Sequence, residues 1–388
     1  MKKILSVITL ESSAENFISD QLAFFQKNGD YECHLICSPS PHLEKFSREQ
    51  GIICHPIQIK RRPSLFKDIK AFWGIFRYMS KHHFDLLIAH SFPKACLLAM
   101  TAGKIAGIPH RIELAHGALQ EGLKGIMKRF VIISERHNSK LADKVISVSP
   151  SVAYRRLRDG IDKPNKQVIL SKGTCNGIDT QVKFNPTLVD ESFVTSKKFE
   201  LGINKTDFVI GYCGRLVRDK GIVELIDGFK LLHLKHPERH LKLLIIGYPE
   251  QRDALPQLTM TFIENSPDIV FTGRVPYEDI QNYYMLMDVF ILPSYREGFP
   301  TVVLEASAMT RPVITTRKTG CIDSIVENET GLFVDIDGES IACGIEKLID
   351  KEVAIRMGDN GRKWVVENFE HRIVRQAMYE LIKELTVN

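Results

Sequence analysis

Residues 289–305 read VFILPSYREGFPTVVLE: an apolar run, a turn holding Gly298 and Pro300, and two carboxylates, Glu297 and Glu305, on either side of that turn. Val289–Ser294 has the length and composition of a strand buried on both faces, which is how parallel strands read. A helix opening at about Thr301 leaves its first backbone N–H groups without intrahelical partners, and such a terminus attracts anions. Pro300 itself has no N–H to give. Glu305 falls about one turn inside the helix, on the face of Thr301, while Glu297 sits in the turn ahead. An acid before the helix and another one turn down would grip two ends of a ligand whose phosphates lie between them, the shape of a nucleotide sugar. The same letters also fit a surface loop followed by a helix with an ordinary early glutamate, favoured by the helix dipole.

The strand–turn–helix unit recurs around this stretch. FVIGYCGRL (Phe208–Leu216) is a strand ending in Gly-Arg, and Val217–Gly221 leads into an amphipathic helix carrying Ile222, Leu225, Ile226, Phe229 and Leu232. Arg215 and Lys220 would project from the carboxyl end of that strand, where open α/β sheets bind ligands. Two cations there suit a diphosphate, Arg as a bidentate donor and Lys as a point charge. Leu241–Gly247, Ile269–Val275 and Pro312–Lys318 are further short apolar runs ending in Gly, Pro or basic residues. Helical periodicity separates them, and the alternation predicts a parallel, doubly wound sheet.

Taken in order, GRLVRDKG, a strand ending in Gly, FTGRVPYEDIQNYY and ILPSYREGFPTVVLEASAM resemble the donor-binding half of the retaining GT-B glycosyltransferases of family 4. Glu297 to Glu305 matches the E-x7-E pattern of that family. The resemblance implies two Rossmann-like, doubly wound parallel-sheet domains facing a central cleft. The first, an acceptor-binding domain, would span 1–185, and the second, a donor-binding domain, 202–370. The join is expected near Val182–Leu201, where the apolar period is lost, and the helix 371–388 is expected to cross back onto the first domain.

The resemblance also assigns roles. Glu305 would take the ribose hydroxyls, and the main chain at Arg274 and Val275 would contact the base. Glu297 with the backbone of Gly298 and Phe299 would hold the sugar hydroxyls. Arg215, Lys220 and the amides around Pro300, Thr301 and Val302 would face the diphosphate of a UDP-sugar, in place of a metal ion. No cofactor and no metal are expected. Asp335-Ile336-Asp337 looks like an Asp-x-Asp metal motif of another glycosyltransferase fold, but its place after GLFV reads better as a turn.

In the first half, KKILSVITL, Tyr31–Ser38, Ile52–Ile59, Phe84–Ser91, His110–Gly117, Lys144–Pro150 and Gln167–Gly173 read as strands with helical patterns between most of them. Two α/β domains fit 388 residues. His116 ends an apolar strand ahead of a Gly, so it is either a structural histidine bonded to backbone or a cleft-facing group. The resemblance favours the second, beside the donor sugar. Ser171–Phe184 (SKGTCNGIDTQVKF) resembles the family's segment near the domain junction, with Asn176-Gly177 as a tight turn. The family's Gly-rich loop after the first strand is missing. Thr9–Phe17 stands there instead, and Ser12 and Ser13 would either offer donors to the ligand or cap a helix in a capping box with Glu15.

Charge separates the halves. Residues 1–190 carry 28 Lys/Arg and 17 Asp/Glu, the remainder 24 and 30, giving the overall +5. The basic residues cluster at Lys60–Lys81, Lys124–Arg129 and Arg155–Arg158. In the first cluster Leu65, Phe66, Ile69, Phe72, Trp73, Phe76 and Met79 fall at helical spacing with Lys67, Lys70, Arg77 and Lys81 between them. Such a helix either lies on an anionic membrane surface or turns its apolar stripe into the core. Lys124, Lys128, Arg129 and Arg136 would meet a lipid diphosphate or simply face solvent. No base-reading module is visible, and nucleic acid is not expected as a partner.

No stretch reaches about 18 uninterrupted apolar residues, and MKKILSVITLESS reads as the first strand rather than a signal peptide. The eight cysteines fit no zinc spacing and suit buried free thiols of a reducing compartment. A cytoplasmic protein, peripheral on the inner face of the membrane, is the expectation.

HRIELAHGALQEG with TCNGID is similar to transferases that extend undecaprenyl-diphosphate-linked glycans in capsule, O-antigen or protein-glycan assembly. The expected activity is transfer of a hexose or N-acetylhexosamine from a UDP-sugar to such a glycan. A sugar-nucleotide epimerase, a glucan- or sucrose-type synthase and a non-catalytic nucleotide-sugar sensor are the alternatives.

Overall fold

Two all-parallel sheets organise the chain. The computed structural model describes residues 1–18, 20–60, 64–91 and 93–387. These fall into two units, Met1–Gly177 with His371–Asn388, and Ile178–Glu370. In the first unit the strands are β1 (Lys2–Val7), β2 (Tyr31–Cys37), β3 (Ile53–Pro56), β4 (Leu86–His90), β5 (His110–Ala115), β6 (Lys144–Ser147) and β7 (Gln167–Val168). They run in the order β3-β2-β1-β4-β5-β6-β7. The second unit holds β8 (Phe208–Cys213), β9 (Leu241–Ile246), β10 (Ile269–Gly273), β11 (Val289–Leu292), β12 (Val313–Thr316) and β13 (Gly331–Val334), ordered β10-β9-β8-β11-β12-β13. Both sheets have the doubly wound Rossmann order, which reverses direction beside their first strand.

Strands covered by helices on both faces bury every side chain, which is why VFIL of β11 and VITT of β12 are uniformly buried. β13 passed unread in the sequence because GLFV is four residues long and has no period. At Gly221 (φ 70°) the chain turns from β8 into the helix Ile222–Lys235, and a Cβ there would overlap the Pro293 carbonyl oxygen. Only glycine lets the segments after β8 and β11 approach so closely.

The second unit begins earlier than the loss of apolar period suggests. Ile178 N donates to the Phe369 carbonyl at 2.8 Å, and Phe184 is buried in the second core. The polar stretch beyond it includes a helix, Glu191–Glu200, started by Asp190, whose carboxylate accepts from Ser192 N at 2.8 Å. That helix fully buries none of its side chains, so it has no stripe for a sequence reading to find. The C-terminal helix His371–Val387 belongs to the first unit, where Tyr379 donates its hydroxyl to Asn28 O at 2.8 Å.

One sequence expectation is corrected here. Ser12 does not cap a helix, because the helix Glu11–Ile18 opens before it and Ser13 N donates to Leu10 O. Within the basic cluster Arg155–Arg158, Arg156 is wholly buried among Glu113 (2.9 Å), Glu135 (3.3 Å) and Asp162 (2.6 Å). Its neighbour Arg155 is paired with Glu121. Arg61, Arg62 and Pro63 of the first basic cluster lie outside the described residues. Asp337 caps the helix Gly338–Lys347, accepting from Ser340 N at 2.8 Å.

Candidate active site

In the second sheet the order reverses between β8 and β11, and ligands of open α/β sheets bind beyond the carboxyl ends of strands at such a switch point. The segments leaving these two strands are tied together. Asp219 O accepts from Tyr295 N (2.9 Å) and from the Ser294 hydroxyl (3.2 Å), while its carboxylate takes Arg296 Nε at 2.8 Å. Thr316 donates its hydroxyl to Ser294 O at 2.7 Å, and Glu297 N donates to Thr319 O at 2.8 Å. The turn before the helix Thr301–Ala308 is therefore fixed by its neighbours rather than by its own sequence.

Across this junction the Lys220 ammonium pairs with the Glu297 carboxylate, each side chain 15% exposed. Arg215 is different: half exposed, it pairs with Glu250 at 2.8 Å. Among the described residues the backbone amides of Gly298, Phe299, Thr301 and Val302 have no hydrogen-bond acceptor, whereas Val303 N is bonded to Pro300 O. Phe299 is anchored by its ring against Phe369, 5.3 Å between centroids. Four free donors beside a shielded lysine form a cradle for an anion at the start of a helix.

Glu305 lies deeper. It is buried and accepts from the Tyr284 hydroxyl at 2.7 Å. Burial pushes its carboxyl up, opposed by Tyr284 and by the charge of Lys183. Burial also pushes the Lys183 ammonium down to about 8, against the pull of Glu305 and Glu278. Lys183 sits 3.0 Å above the Tyr277 ring centroid, a cation–π contact. Arg274 leans toward Tyr248, 5.9 Å from its ring centroid, and Val275 packs on the core.

Sequence reasoning missed Asp219, Arg296, Tyr284, Tyr277 and Lys183. The tyrosines stand in FTGRVPYEDIQNYY as ordinary apolar-period residues. Lys183 follows a turn motif, and no local pattern reveals that its charge acts on a carboxylate 122 positions away.

In the first unit, His116 follows β5 and His90 ends β4. His90 Nδ1 and His116 Nε2 are 2.9 Å apart, and the Phe17 ring lies 4.4 Å from His116. Burial pushes both imidazoles down, His90 to about 3, so both are neutral. Ser12 and Ser13 stand in the first turn of Glu11–Ile18, Ser12 exposed. Lys124 and Arg129 are exposed and Lys128 half-buried, at the start of the helix Gly125–Leu141. Arg215, Lys220, Glu297, Gly298 and the Pro300–Val302 turn thus share one sheet edge, while His116, the two serines and the three cations belong to the other unit.

Known proteins share this organisation. The family model "Glycosyl transferases group 1" matches residues 193–364, and "Glycosyl transferase 4-like domain" matches 22–171. The chain is 33% identical over 97% of its length, and 96% of the relative's, to the capsular polysaccharide biosynthesis glycosyltransferase CapM of Staphylococcus aureus. It is 25% identical to the UDP-Gal:alpha-D-GlcNAc-diphosphoundecaprenol alpha-1,3-galactosyltransferase of Escherichia coli, covering 93% of this chain and 90% of that one. The crystal structure of Anabaena Alr3699/HepE in complex with UDP-glucose superposes with a TM-score of 0.80 at 18% identity, covering 99% of this chain and all of the other.

Proposed function

The chain belongs to the GT-B glycosyltransferases of family 4, and on that premise we propose that it transfers a sugar from a UDP-sugar to an undecaprenyl-diphosphate-linked glycan, with retention of configuration. The observation that carries the reading is the Lys220–Glu297 pair beside the open amides of Gly298, Phe299, Thr301 and Val302 at the switch point. Leaving-group departure builds negative charge on the β-phosphate and positive charge at the anomeric carbon. Lys220, Arg215 and the amides stabilise the first, and they are worth more in the transition state than in the ground state. Glu297, released from Lys220 as the phosphate takes that cation, holds sugar hydroxyls. Glu305 takes the ribose, and the Arg274–Val275 main chain meets the base. Front-face attack with the departing phosphate oxygen receiving the acceptor proton needs no protein nucleophile and no metal. His116, held neutral, orients the sugar. The E. coli relative's named acceptor, a diphosphoundecaprenol, supports the acceptor class.

The test is nucleotide release from a panel of UDP-, GDP- and ADP-sugars, with and without polyprenyl-diphosphate glycans. Release of UDP that needs both one UDP-sugar and the lipid-linked acceptor is expected. Donor conversion without acceptor would mean an epimerase, and turnover on soluble glucan or sugar phosphate a synthase.

We place the acceptor at the inner face of the membrane. No helix of the described residues is long and apolar enough to cross a bilayer. The helix Leu65–His82 has two apolar faces: Ile75, Tyr78 and Met79 are buried, while Phe66, Ile69 and Trp73 are exposed beside Lys67 and Lys70. Gly125–Leu141 likewise exposes Ile126 (84%), Met127, Phe130 and Ile133 beside Lys124 and Arg129. Apolar side chains flanked by cations suit an anionic interface. Phosphatidylglycerol vesicles should therefore capture the protein and shift Trp73 emission to the blue. Phe66→Glu with Phe130→Glu should weaken partitioning at least about tenfold, the effect of withdrawing one or two large side chains from lipid. Equal partitioning of wild type and variant would remove this surface from the reading.

A further inference from the structure

His90 is a fully buried imidazole of the first unit, and the proposed transfer mechanism does not use it. It is 0% exposed, at the carboxyl end of β4, paired in register with Leu114 of β5. Its Nδ1 faces His116 Nε2 at 2.9 Å with the rings 5.1 Å apart. Its Nε2 is buried and, among the described residues, has no hydrogen-bond partner.

One proton lies between the two facing nitrogens, and there are two ways to supply it. If His116 donates from Nε2, His90 must carry its own proton on Nε2, leaving an N–H dry and without an acceptor. If His90 donates from Nδ1, its Nε2 is a bare lone pair. Orphaned buried N–H groups are the rarer and costlier of the two, since a strong donor loses its water for nothing. The second arrangement wins, and neutral His116 must then carry its proton on Nδ1.

We propose that His90 is the positioning residue of His116: its Nδ1–H fixes the His116 ring and locks it as the Nδ1–H tautomer, so that His116 meets the donor sugar as a hydrogen-bond donor and not as a base. This rests on the reading of His116 as the group beside the sugar. The general logic is that of second-partner control, in which the bond made by one ring nitrogen decides what the other can do.

The first readout needs no activity. Long-range ¹⁵N–¹H correlation on ¹⁵N-histidine-labelled full-length protein should show the proton of His116 on Nδ1. His90→Phe removes the donor and should move that proton to Nε2, the preferred site of a free imidazole. His90→Asn, whose side-chain N–H falls near the place of Nδ1–H, should restore it. Turnover should follow: kcat down about tenfold or more in His90→Phe with KM little changed, and recovered in His90→Asn. A wild-type His116 protonated on Nε2 would overturn the proposal even if His90→Phe failed to fold. So would a tautomer that ignores His90→Phe. A tautomer that switches while kcat stays constant would instead overturn the placement of His116 beside the sugar, leaving His90's control of the ring intact.

Discussion

Lys220→Ala is expected to lower kcat by about a hundred- to a thousand-fold, the usual loss when one preorganised group at a developing charge is removed. The lysine lies at the switch point, 15% exposed, with its ammonium held by Glu297. A cation so shielded from water acts at higher strength on a β-phosphate than a surface lysine does. KM should change far less than kcat, because the phosphate gains charge as the bond breaks. Arg215→Ala should cost only about tenfold: its guanidinium is half exposed and engaged with Glu250 at the rim, where screening weakens any charge. Glu297→Gln separates position from charge. If the carboxylate mainly holds sugar hydroxyls, the amide will lower kcat for the true donor without impairing UDP binding. The double variant Lys220→Ala with Glu297→Gln should then lose less than the sum of the two, since each residue positions the other. Rates for Lys220→Ala within about twofold of wild type would end the assignment of the diphosphate to this junction.

The parallel fold of the second unit was legible because its signals are local. Buried parallel strands are short apolar runs, the turn glycines and Pro300 mark their ends, and Glu297 and Glu305 keep their spacing in any such turn. What escaped was whatever depends on two segments meeting. Asp219 binds the Tyr295 backbone and the Arg296 side chain across 76 and 77 positions, and the charge of Lys183 acts on Glu305 from far along the chain. Neither is visible in a window of twenty residues. His116 was singled out from its strand end, yet its neighbour His90 was not, because adjacency of β4 and β5 is a matter of sheet order. Arg156 escaped for a different reason: nothing in the run Arg155–Arg158 marks which of its cations the helix Pro150–Arg158 buries, and it buries Arg156.

That arginine carries the largest expected effect on stability. Arg156 donates to Asp162 (2.6 and 3.0 Å) and Glu113 (2.9 Å) and lies 3.3 Å from Glu135, all buried, so fully ionised the cluster holds one cation against three carboxylates. Arg156→Met strands those carboxylates and should cost roughly 3–5 kcal/mol, or about 10 °C in Tm for a unit of this size. The sign with pH follows from the glutamates. Burial, helped by the neighbouring carboxylates and opposed by Arg156, pushes Glu113 and Glu135 up to about 7. Their folded pKa exceeds the unfolded value, so their contribution is fully present below about 4.5 and is lost as pH rises through about 7. Among the described residues both oxygens of Glu135 lack a hydrogen bond, which makes it the carboxylate to neutralise. Glu135→Gln should raise Tm at pH 8, leave it nearly unchanged at pH 5, and flatten the slope between them. Calorimetry of wild type and variant across that range reads the difference directly, with the histidines cancelling. Parallel Tm curves would mean that Glu135 is not the residue through which this buried cluster feels pH.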